Sequence, residues 1–405
     1  MNCNMDALIK NRDIIVMGIQ AWDIEIGSNC KNIALEMSKH NRVLYVNPPI
    51  DRVTLFKERG TEKVKRRQAI RRGDAPALQE IGDQFWNLYP KRLVEPANWV
   101  GSGLLFDKLN YQNAKRFFRD IQDAIEKLDF TNIIVFNDSS MFLGQYVQEF
   151  LNPSHYVYYM RDYLIKVPYW QRHGERLEPV LLKNADTVVN NSLLYTDYGA
   201  QYNANSYMVG QGCDVSLFND EKDTIECASE LRHIPGPIIG YVGYLTSMRL
   251  DIDLLVHLAK ERPKWSLVLV GPEDDDFKNS ALHGLDNVFF LGSKDGKELP
   301  NYIKGFDVAI NPQLINDWTR GNYPRKIDEY LAMGKATVAT GTRAMDMFAD
   351  HVYLPITKEE YLNAIERALD EDSIELKKKR IAFAKQHTWE NNVNDIYEAI
   401  LNSVA

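Results

Sequence analysis

Short runs of β-branched and aromatic residues alternate with helical patterns along this 405-residue chain, and this alternation limits the folds that it can adopt. The runs are apolar almost throughout. Such strands indicate parallel sheets that helices cover on both faces. The predicted strands are 13–18, 42–47, 132–136, 155–159, 186–190, 206–209, 237–243, 265–271, 288–292, 306–311 and 336–340.

The series of strands and helices starts again near residue 237, which divides the chain in two. A polar stretch at 219–230 and the breaker sequence Pro235-Gly236-Pro237 precede the restart. We therefore predict an α/β protein with two doubly wound, Rossmann-like domains, at 1–218 and 234–387.

Composition and charge exclude several classes of protein. The formal net charge of −8 argues against a nucleic-acid binder. The four cysteines show no CxxC pair, and HExxH, G-x-S-x-G and G-x-G-x-x-G motifs are absent from the sequence, so metal hydrolases, serine hydrolases and dinucleotide oxidoreductases have no support. No stretch approaches the roughly 18 apolar residues of a membrane span, and 1–12 lacks the apolar block of a secretion signal. We expect a cytoplasmic protein with free thiols.

The segment 51–73 differs from the rest of the chain in charge. It contains nine basic and three acidic residues, a local balance of +6. One interpretation is a solvated helix face or loop. The other is contact with a phosphate-bearing acceptor or with an anionic membrane surface, where each basic residue contributes about 1 kcal/mol. In the latter case, 52–72 would attach the protein to the inner face of the membrane, and Val53, Leu55 and Phe56 could insert there.

Ligands of open parallel sheets bind beyond the carboxyl ends of the strands, so residues that follow strands are the first candidates for a site. Strand 237–243 ends in Gly243, which permits a close approach of the backbone to a ligand. Thr246 or Ser247 can cap the next helix, which places Arg249 in its first turn, near a bound phosphate. An ordinary surface arginine is the alternative interpretation.

The sequence PRKIDEYLAMGKATVAT at 324–340 is a more specific motif. Lys326 and Glu329 lie three residues apart on one helix face, and Arg320 and Arg325 add positive charge near the helix start. A carboxylate one turn further on can accept hydrogen bonds from two hydroxyl groups, such as those of a ribose. The motif predicts a nucleoside diphosphate, with the cations on the diphosphate. The alternative is an exposed salt bridge worth roughly 0.5 kcal/mol or less.

Three segments of the second half resemble GT-B glycosyltransferases, close to the large retaining family 4. Segment 324–340 is similar to the family sequence P-x-K-x-x-E-Y-L-A-x-G-K-P-V-V-A-T, 241–255 to its strand and phosphate turn, and 288–312 to its V-x-F-L-G … L-x-x-Y-x-x-x-D-V-x-I-x-P segment. In the first half, RVLYVNP at 42–48 resembles a subgroup that builds bacterial surface polysaccharides. The resemblance implies two domains that face each other across a cleft, the acceptor on the first, the nucleotide sugar on the second, and a last helix, 388–405, that crosses back to the first.

The resemblance also implies roles for individual residues. Arg249 and Lys326 correspond to the basic pair on the donor diphosphate, and Glu329 to the ribose-binding carboxylate. Fixed cations stabilise the charge that grows on the departing diphosphate, so we expect no metal or other cofactor. The acceptor hydroxyl would attack from the leaving-group side, with retention at the anomeric carbon.

One family position differs in this chain. Where relatives carry another Glu, eight residues before the ribose carboxylate, this sequence has Gly321. How the transferred sugar is held is therefore open, and Asn322 or Asp317 could substitute. Backbone contacts at 292–294, which include Ser293, are expected to select the base.

Candidates in the first domain also follow its strands. Asp138 comes after strand 132–136 and Asp162 after strand 155–159, where either could orient an acceptor hydroxyl. Helix caps or turn residues are the alternative interpretation. Related enzymes often have a His or Asp near the second place, which favours Asp162. Gly27 could open a helix near the donor diphosphate.

The sequence Glu273-Asp274-Asp275-Asp276 contains a D-x-D, which binds a divalent metal in the other major glycosyltransferase architecture. We favour a solvated acidic loop. The predicted activity is metal-independent transfer from a nucleoside-diphosphate sugar to a glycan or lipid-linked acceptor. Two alternatives stay open: an epimerase or phosphorylase on the same scaffold, and a nucleotide-sugar-binding subunit without turnover.

Overall fold

The computed structural model describes residues 9–23, 28–219, 225–317 and 319–404. These residues form two compact units. The first unit contains the described chain up to Gly210 together with the segment that starts at Asn392, and the second contains Gln211–Asn391. Each unit is built on its own parallel sheet, which confirms the predicted α/β class with two Rossmann-like sheets.

The strands are numbered in chain order. They are β1 (Asp13–Gly18), β2 (Arg42–Val46), β3 (Leu78–Gly82), β4 (Phe85–Leu88), β5 (Ile134–Asp138), β6 (His155–Met160), β7 (Thr187–Asn190), β8 (Ser206–Met208), β9 (Ile238–Val242), β10 (Ser266–Val270), β11 (Val288–Gly292), β12 (Val308–Asn311) and β13 (Ala336–Ala339).

The helices are numbered in the same way. They are α1 (Asn29–Ser38), α2 (Arg52–Lys57), α3 (Glu62–Arg72), α4 (Gly103–Leu128), α5 (Met141–Gly144), α6 (Val147–Leu151), α7 (Pro168–Asn184), α8 (Leu193–Ala200), α9 (Ile252–Glu261), α10 (Asp275–Lys278), α11 (Leu299–Lys304), α12 (Lys326–Ala332), α13 (Lys358–Glu371), α14 (Ile374–Ala384) and α15 (Trp389–Val404).

The first sheet has the strand order β3-β4-β2-β1-β5-β6-β7-β8. All neighbours pair in parallel except β3, which is antiparallel to β4. The order reverses between β1 and β5, where Gly18 is in register with Asp138 at the carboxyl ends of both strands. Doubly wound sheets bind their ligands at such a reversal point.

The second sheet has the order β11-β10-β9-β12-β13, and every neighbouring pair is parallel. Its reversal point lies between β9 and β12. Central strands such as β10 are buried along their whole length, because helices cover both faces of the sheet. The loops that follow β9 and β12 are therefore the places to look for a ligand site.

Helix α15 belongs to the first unit from Asn392 on. The Oη of its Tyr397 accepts a hydrogen bond from Asn41 Nδ2 at 2.9 Å, and the Oγ of its Ser403 accepts one from Thr187 Oγ1 at 2.7 Å. Ile396, Ala399 and Ile400 are buried, as the amphipathic pattern of the helix predicts.

Two strands of the first sheet escape the sequence prediction. β3 lies at the sheet edge, is partly exposed and contains polar residues, whereas β4 is buried but only four residues long and includes Asn87. Neither strand has the continuous apolar run that identifies the other strands.

Glu178 on α7 is a buried carboxyl in the first unit. Tyr158 Oη donates to its Oε1 at 3.1 Å, and its Oε2 has no hydrogen-bond partner. Burial raises the pKa of Glu178 from 4.5 to about 7, although hydrogen bonds from Tyr158 and Tyr198 lower it. Since folding raises this pKa, ionisation of Glu178 destabilises the folded state. The cost is absent below about pH 4.5 and complete above about pH 7.

We therefore expect Glu178→Gln to stabilise the protein at pH 8 by about 3 kcal/mol and to leave its stability nearly unchanged at pH 4.5. Thermal unfolding at the two pH values measures the effect. Glu175→Gln, an exposed change on the same helix, is the matched control. An equal stabilisation at both pH values would contradict the assignment.

Among the helices described above, we find none with the length and apolar character that crossing a membrane requires.

Candidate functional site

Gly243 follows β9 at the reversal point of the second sheet. Its φ of +143° is one that L side chains rarely adopt. A Cβ there would lie 2.9 Å from Tyr241 Oη and 3.2 Å from Lys326 Nζ. At the end of β10, a Cβ on Gly271 would lie 1.9 Å from the Gly243 carbonyl oxygen. Both strand ends thus require glycine. The lack of a side chain at Gly243 also leaves space beside the ammonium group of Lys326.

Lys326 places that ammonium group at the end of β9. Its Nζ donates a hydrogen bond to Tyr241 Oη at 2.8 Å and lies 4.5 Å from the centre of the Tyr241 ring. One turn along α12, Tyr330 Oη accepts a hydrogen bond from the Val242 amide at 2.9 Å. These contacts fix α12 against β9 and hold the Lys326 ammonium group in one position.

Arg249 lies in the loop between β9 and α9, not in the first turn of the helix. The prediction that Thr246 or Ser247 caps this helix is wrong, because Asp251 caps it and the Thr246 carbonyl instead closes a turn with the Arg249 amide at 3.0 Å. The carbonyl of Arg249 accepts from the Leu314 amide at 2.8 Å. This bond ties the loop after β9 to the loop after β12.

Glu329 lies on α12, three residues after Lys326, with 14% of its side chain exposed. Its Oε1 is 3.5 Å from Arg325 Nε. Burial raises the pKa of Glu329, and the positive charges of Arg325 and Lys326 lower it. The structure therefore brings together four predicted donor residues, Gly243, Arg325, Lys326 and Glu329, and pairs the carboxylate with Arg325.

Sequence reasoning missed a second carboxylate on α12. Asp328 is fully buried, its Oδ1 lies 2.6 Å from His387 Nδ1, and its Oδ2 accepts from Tyr323 Oη at 2.8 Å. Burial raises the pKa of Asp328, and the hydrogen bond with His387 lowers it. His387 is 59 residues away in sequence, so no local spacing signals the pair. The bonds from Asp328 to His387 and Tyr323 anchor the buried face of α12.

Three further predicted donor residues lie in the loops after β11 and β12. Ser293 is exposed after β11, whose last residue, Gly292, has φ +68°. Arg320 Nη2 is 3.6 Å from Asp317, and the Asn322 amide bonds to the Thr319 carbonyl at 2.9 Å. Within the described ranges, none of the three side chains forms a hydrogen bond or ion pair with Lys326.

The acidic stretch after β10 has structural partners. Asp274 caps α10 by accepting from the Phe277 amide at 2.9 Å, and it also accepts from the Ser247 amide at 2.8 Å. Burial acts to raise the pKa of Asp274, but these hydrogen bonds bring it below its usual value. In the part of the chain that the structure describes, no group of three or more His, Cys, Asp or Glu side chains is arranged to hold a metal ion.

Arg161 joins the two carboxylates predicted in the first unit. Its Nε donates to Asp138 Oδ1 and its Nη1 to Asp162 Oδ2, both at 2.9 Å. Asp138 is fully buried because β5 extends to include it, whereas 31% of the Asp162 side chain is exposed. Asp162 is thus the accessible carboxylate of the pair. Gly27, the remaining candidate, lies outside the described residues.

Comparison with known proteins finds a family match within the second unit. Residues 236–371, which contain Gly243, Lys326 and Glu329, match the model of the family described as glycosyl transferases group 1. This match confirms the predicted resemblance to glycosyltransferases for that segment.

TuaH of Bacillus subtilis, assigned as a glycosyltransferase of teichuronic acid biosynthesis, is 27% identical over 190 residues. The alignment covers 45% of this chain and 47% of TuaH, so it spans about half the length of each protein.

Solved structures give the fold of the whole chain. HepE of Anabaena, in complex with UDP, has a TM-score of 0.65 at 16% identity and covers 97% of this chain and 100% of HepE. Sucrose-phosphate synthase of Thermosynechococcus elongatus has a TM-score of 0.60 at 16% identity, over 96% and 95% of the two chains. At this identity the likeness shows the fold alone, and it confirms the predicted GT-B fold.

Proposed function

We propose that this protein transfers a sugar from a nucleoside-diphosphate sugar to an acceptor hydroxyl, without a metal and with retention at the anomeric carbon. The observation that carries the proposal is the Lys326 ammonium held beside Gly243, inside the segment that matches the glycosyl transferase family. The UDP complex of HepE supports a nucleoside-diphosphate donor. The assignment of TuaH to teichuronic acid biosynthesis supports a cell-surface polysaccharide or its lipid-linked precursor as the acceptor.

The roles follow from charge. Departure of the diphosphate puts growing negative charge on its oxygens, which Lys326 and Arg249 stabilise more in the transition state than in the ground state. Glu329 accepts hydrogen bonds from the ribose hydroxyls, a task for an ionised carboxylate held by a neighbouring guanidinium. Asp162, fixed by Arg161, orients the acceptor hydroxyl.

A panel of UDP, GDP, ADP, CDP and dTDP tests donor binding. At about 100 times Kd the correct nucleotide should raise the apparent stability by about 2.7 kcal/mol, seen as a shift in Tm. Transfer is then measured as consumption of the matching sugar donor with candidate acceptors. If none of the five nucleotides shifts Tm, the proposal fails.

The same assays separate the alternatives. Donor isomerisation without an acceptor would indicate an epimerase, and sugar phosphate formed from inorganic phosphate would indicate a phosphorylase. Gly321, at the place of a family glutamate, favours a second candidate, a binding subunit. Nucleotide binding without any consumption of donor would support that candidate.

We also propose that residues 52–72 contact an anionic membrane surface. Phe56 is 73% exposed on α2, next to the basic helix α3. Arg67 is excluded from this surface because it is buried, with its guanidinium 4.3 Å from the ring centre of Tyr89. The exposed basic residues of α3 therefore form the contact, namely Lys63, Lys65, Arg66, Arg71 and Arg72.

Replacing Lys63, Lys65, Arg71 and Arg72 with Ala should weaken binding to anionic vesicles, because each charge contributes about 1 kcal/mol near such a surface. The loss should shrink as salt rises. Vesicle co-sedimentation measures the effect, and replacement of the exposed Lys264 and Lys378 is the control. Unchanged binding of the fourfold variant would reject membrane contact.

A further inference from the structure

A cavity of about 370 Å³ opens at the carboxyl end of the first sheet. It lies where the strand order reverses, a place at which doubly wound sheets bind ligands. Residues from the ends of three strands line it, namely Gly18 and Ile19 after β1, Pro48 and Pro49 after β2, and Ser140 and Phe142 after β5. Its size falls within the range of small-molecule sites.

The walls of this cavity are largely apolar, and four of its polar side chains already have partners. Asn113 bonds to both the amide and the carbonyl of Glu95, at 2.7 and 2.8 Å, and Asn110 Nδ2 donates to the Phe142 carbonyl at 2.8 Å. Asp51 caps α2, and Glu95 pairs with Arg52 and Arg116.

A sugar ring buried here would lose hydrogen bonds to water that the largely apolar walls replace only in part, at a cost for each unpaired group. Asn98 Oδ1 is a buried lining atom without a hydrogen-bond partner and can accept from one hydroxyl group. A hydrocarbon chain has no such requirement. The chemistry of the walls therefore favours a chain over a glycan.

The rim of the cavity is amphipathic. Trp99, which lines it, is 71% exposed, and Tyr169 is also exposed. Helix α2 begins directly after Asp51 and presents the exposed Phe56 together with basic residues at both of its ends. An exposed apolar patch next to positive charge fits an amphiphile with an anionic head.

We propose that this cavity binds the hydrocarbon chain of a lipid-linked acceptor. This inference rests on the proposed glycosyl transfer for the identity of the ligand as an acceptor. Binding of the chain itself requires no turnover, so it is tested separately from transfer.

The test uses n-alkyl phosphates of 6, 8, 10 and 12 carbons, below their micelle concentrations, with titration calorimetry on the full chain. Affinity should rise about fourfold per added methylene until the cavity is full. Trp99→Ala, on the exposed rim, should weaken binding about tenfold. Ala97→Phe places a ring in part of the cavity. Affinity for the alkyl phosphates should then stop rising at a shorter alkyl length. Ile374→Ala, an exposed change in the second unit, is the control.

Nucleotide-induced shifts in Tm are measured on the same variants. A retained urea-unfolding transition of the first unit shows that Trp99→Ala and Ala97→Phe fold, and unchanged nucleotide binding shows that the donor site in the second unit is intact. A failure of chain binding is then distinct from a failure of the proposed function. Affinity independent of chain length, or unaffected by both cavity variants, would overturn the inference. Competition by maltopentaose would also overturn it, because the occupant would then be a glycan.

Discussion

Lys326→Ala is expected to lower sugar transfer by a factor of 100 or more with the fold intact. One fixed charge contact to a developing anion is worth about 3 kcal/mol at the transition state. Lys326 is fixed by Tyr241 at 2.8 Å at the reversal point of the sheet, whereas its neighbour Arg325 pairs with Glu329 and does not take its place. The effect should appear mainly in kcat, because charge on the diphosphate grows as the bond breaks.

Two comparisons sharpen this result. Lys264→Ala removes an exposed lysine just before β10, at the amino ends of the strands of the same sheet. This change should leave transfer unchanged. Arg249→Ala should show a loss similar to that of Lys326→Ala, since the proposal places both on the diphosphate. Near-normal turnover in both Arg249→Ala and Lys326→Ala would reject the donor site.

Arg161→Met should destabilise the first unit by about 3–5 kcal/mol, the cost of leaving a buried charge without its partner. The guanidinium bonds to the fully buried Asp138 and to Asp162. Burial alone would lower the pKa of Arg161, yet these two carboxylates raise it, so the native cluster keeps the cation charged. Urea unfolding monitored by fluorescence measures the loss.

In the Arg161→Met variant the buried carboxylate of Asp138 has lost its cationic partner. Adding Asp138→Asn removes that unpaired charge and should restore most of the lost stability. Arg176→Met breaks an exposed ion pair with Asp107 and should cost 1 kcal/mol or less. If Arg161→Met and Arg176→Met both lower the free energy of unfolding by 1 kcal/mol or less, Arg161 and Asp138 do not form a stabilising buried ion pair.

The strands that build both sheets could be predicted because each carries its own signal. In β1, Ile14 to Met17 form a continuous apolar run, and all four are buried. The hairpin of β3 and β4 was missed because the exposed edge strand β3 contains polar residues and the buried strand β4 is only four residues long, with Asn87 among them. The end of β5 was placed two residues early, which is why Asp138 was expected outside the sheet and lies inside it.

The donor cluster was predictable where its residues are local. Gly243, Lys326 and Glu329 follow strands or share one helix turn, so spacing alone indicates them. Tyr241 has the appearance of an ordinary core residue of β9, and its contact with Lys326 spans 85 positions. Long-range pairs of this kind depend on how strands and helices pack, and a single sequence carries no signal for them.

The membership of Asn392–Ala405 in the first unit has a consequence for biosynthesis. Asn41 and Thr187 bond to the side chains of Tyr397 and Ser403, so this unit cannot complete its packing on the ribosome until residue 403 has emerged. Gln211–Asn391 is contiguous and is free to finish first. Expression of residues 1–210 alone should therefore give an aggregation-prone fragment, and a nonsense codon near position 390 would damage the half of the protein that was translated earliest.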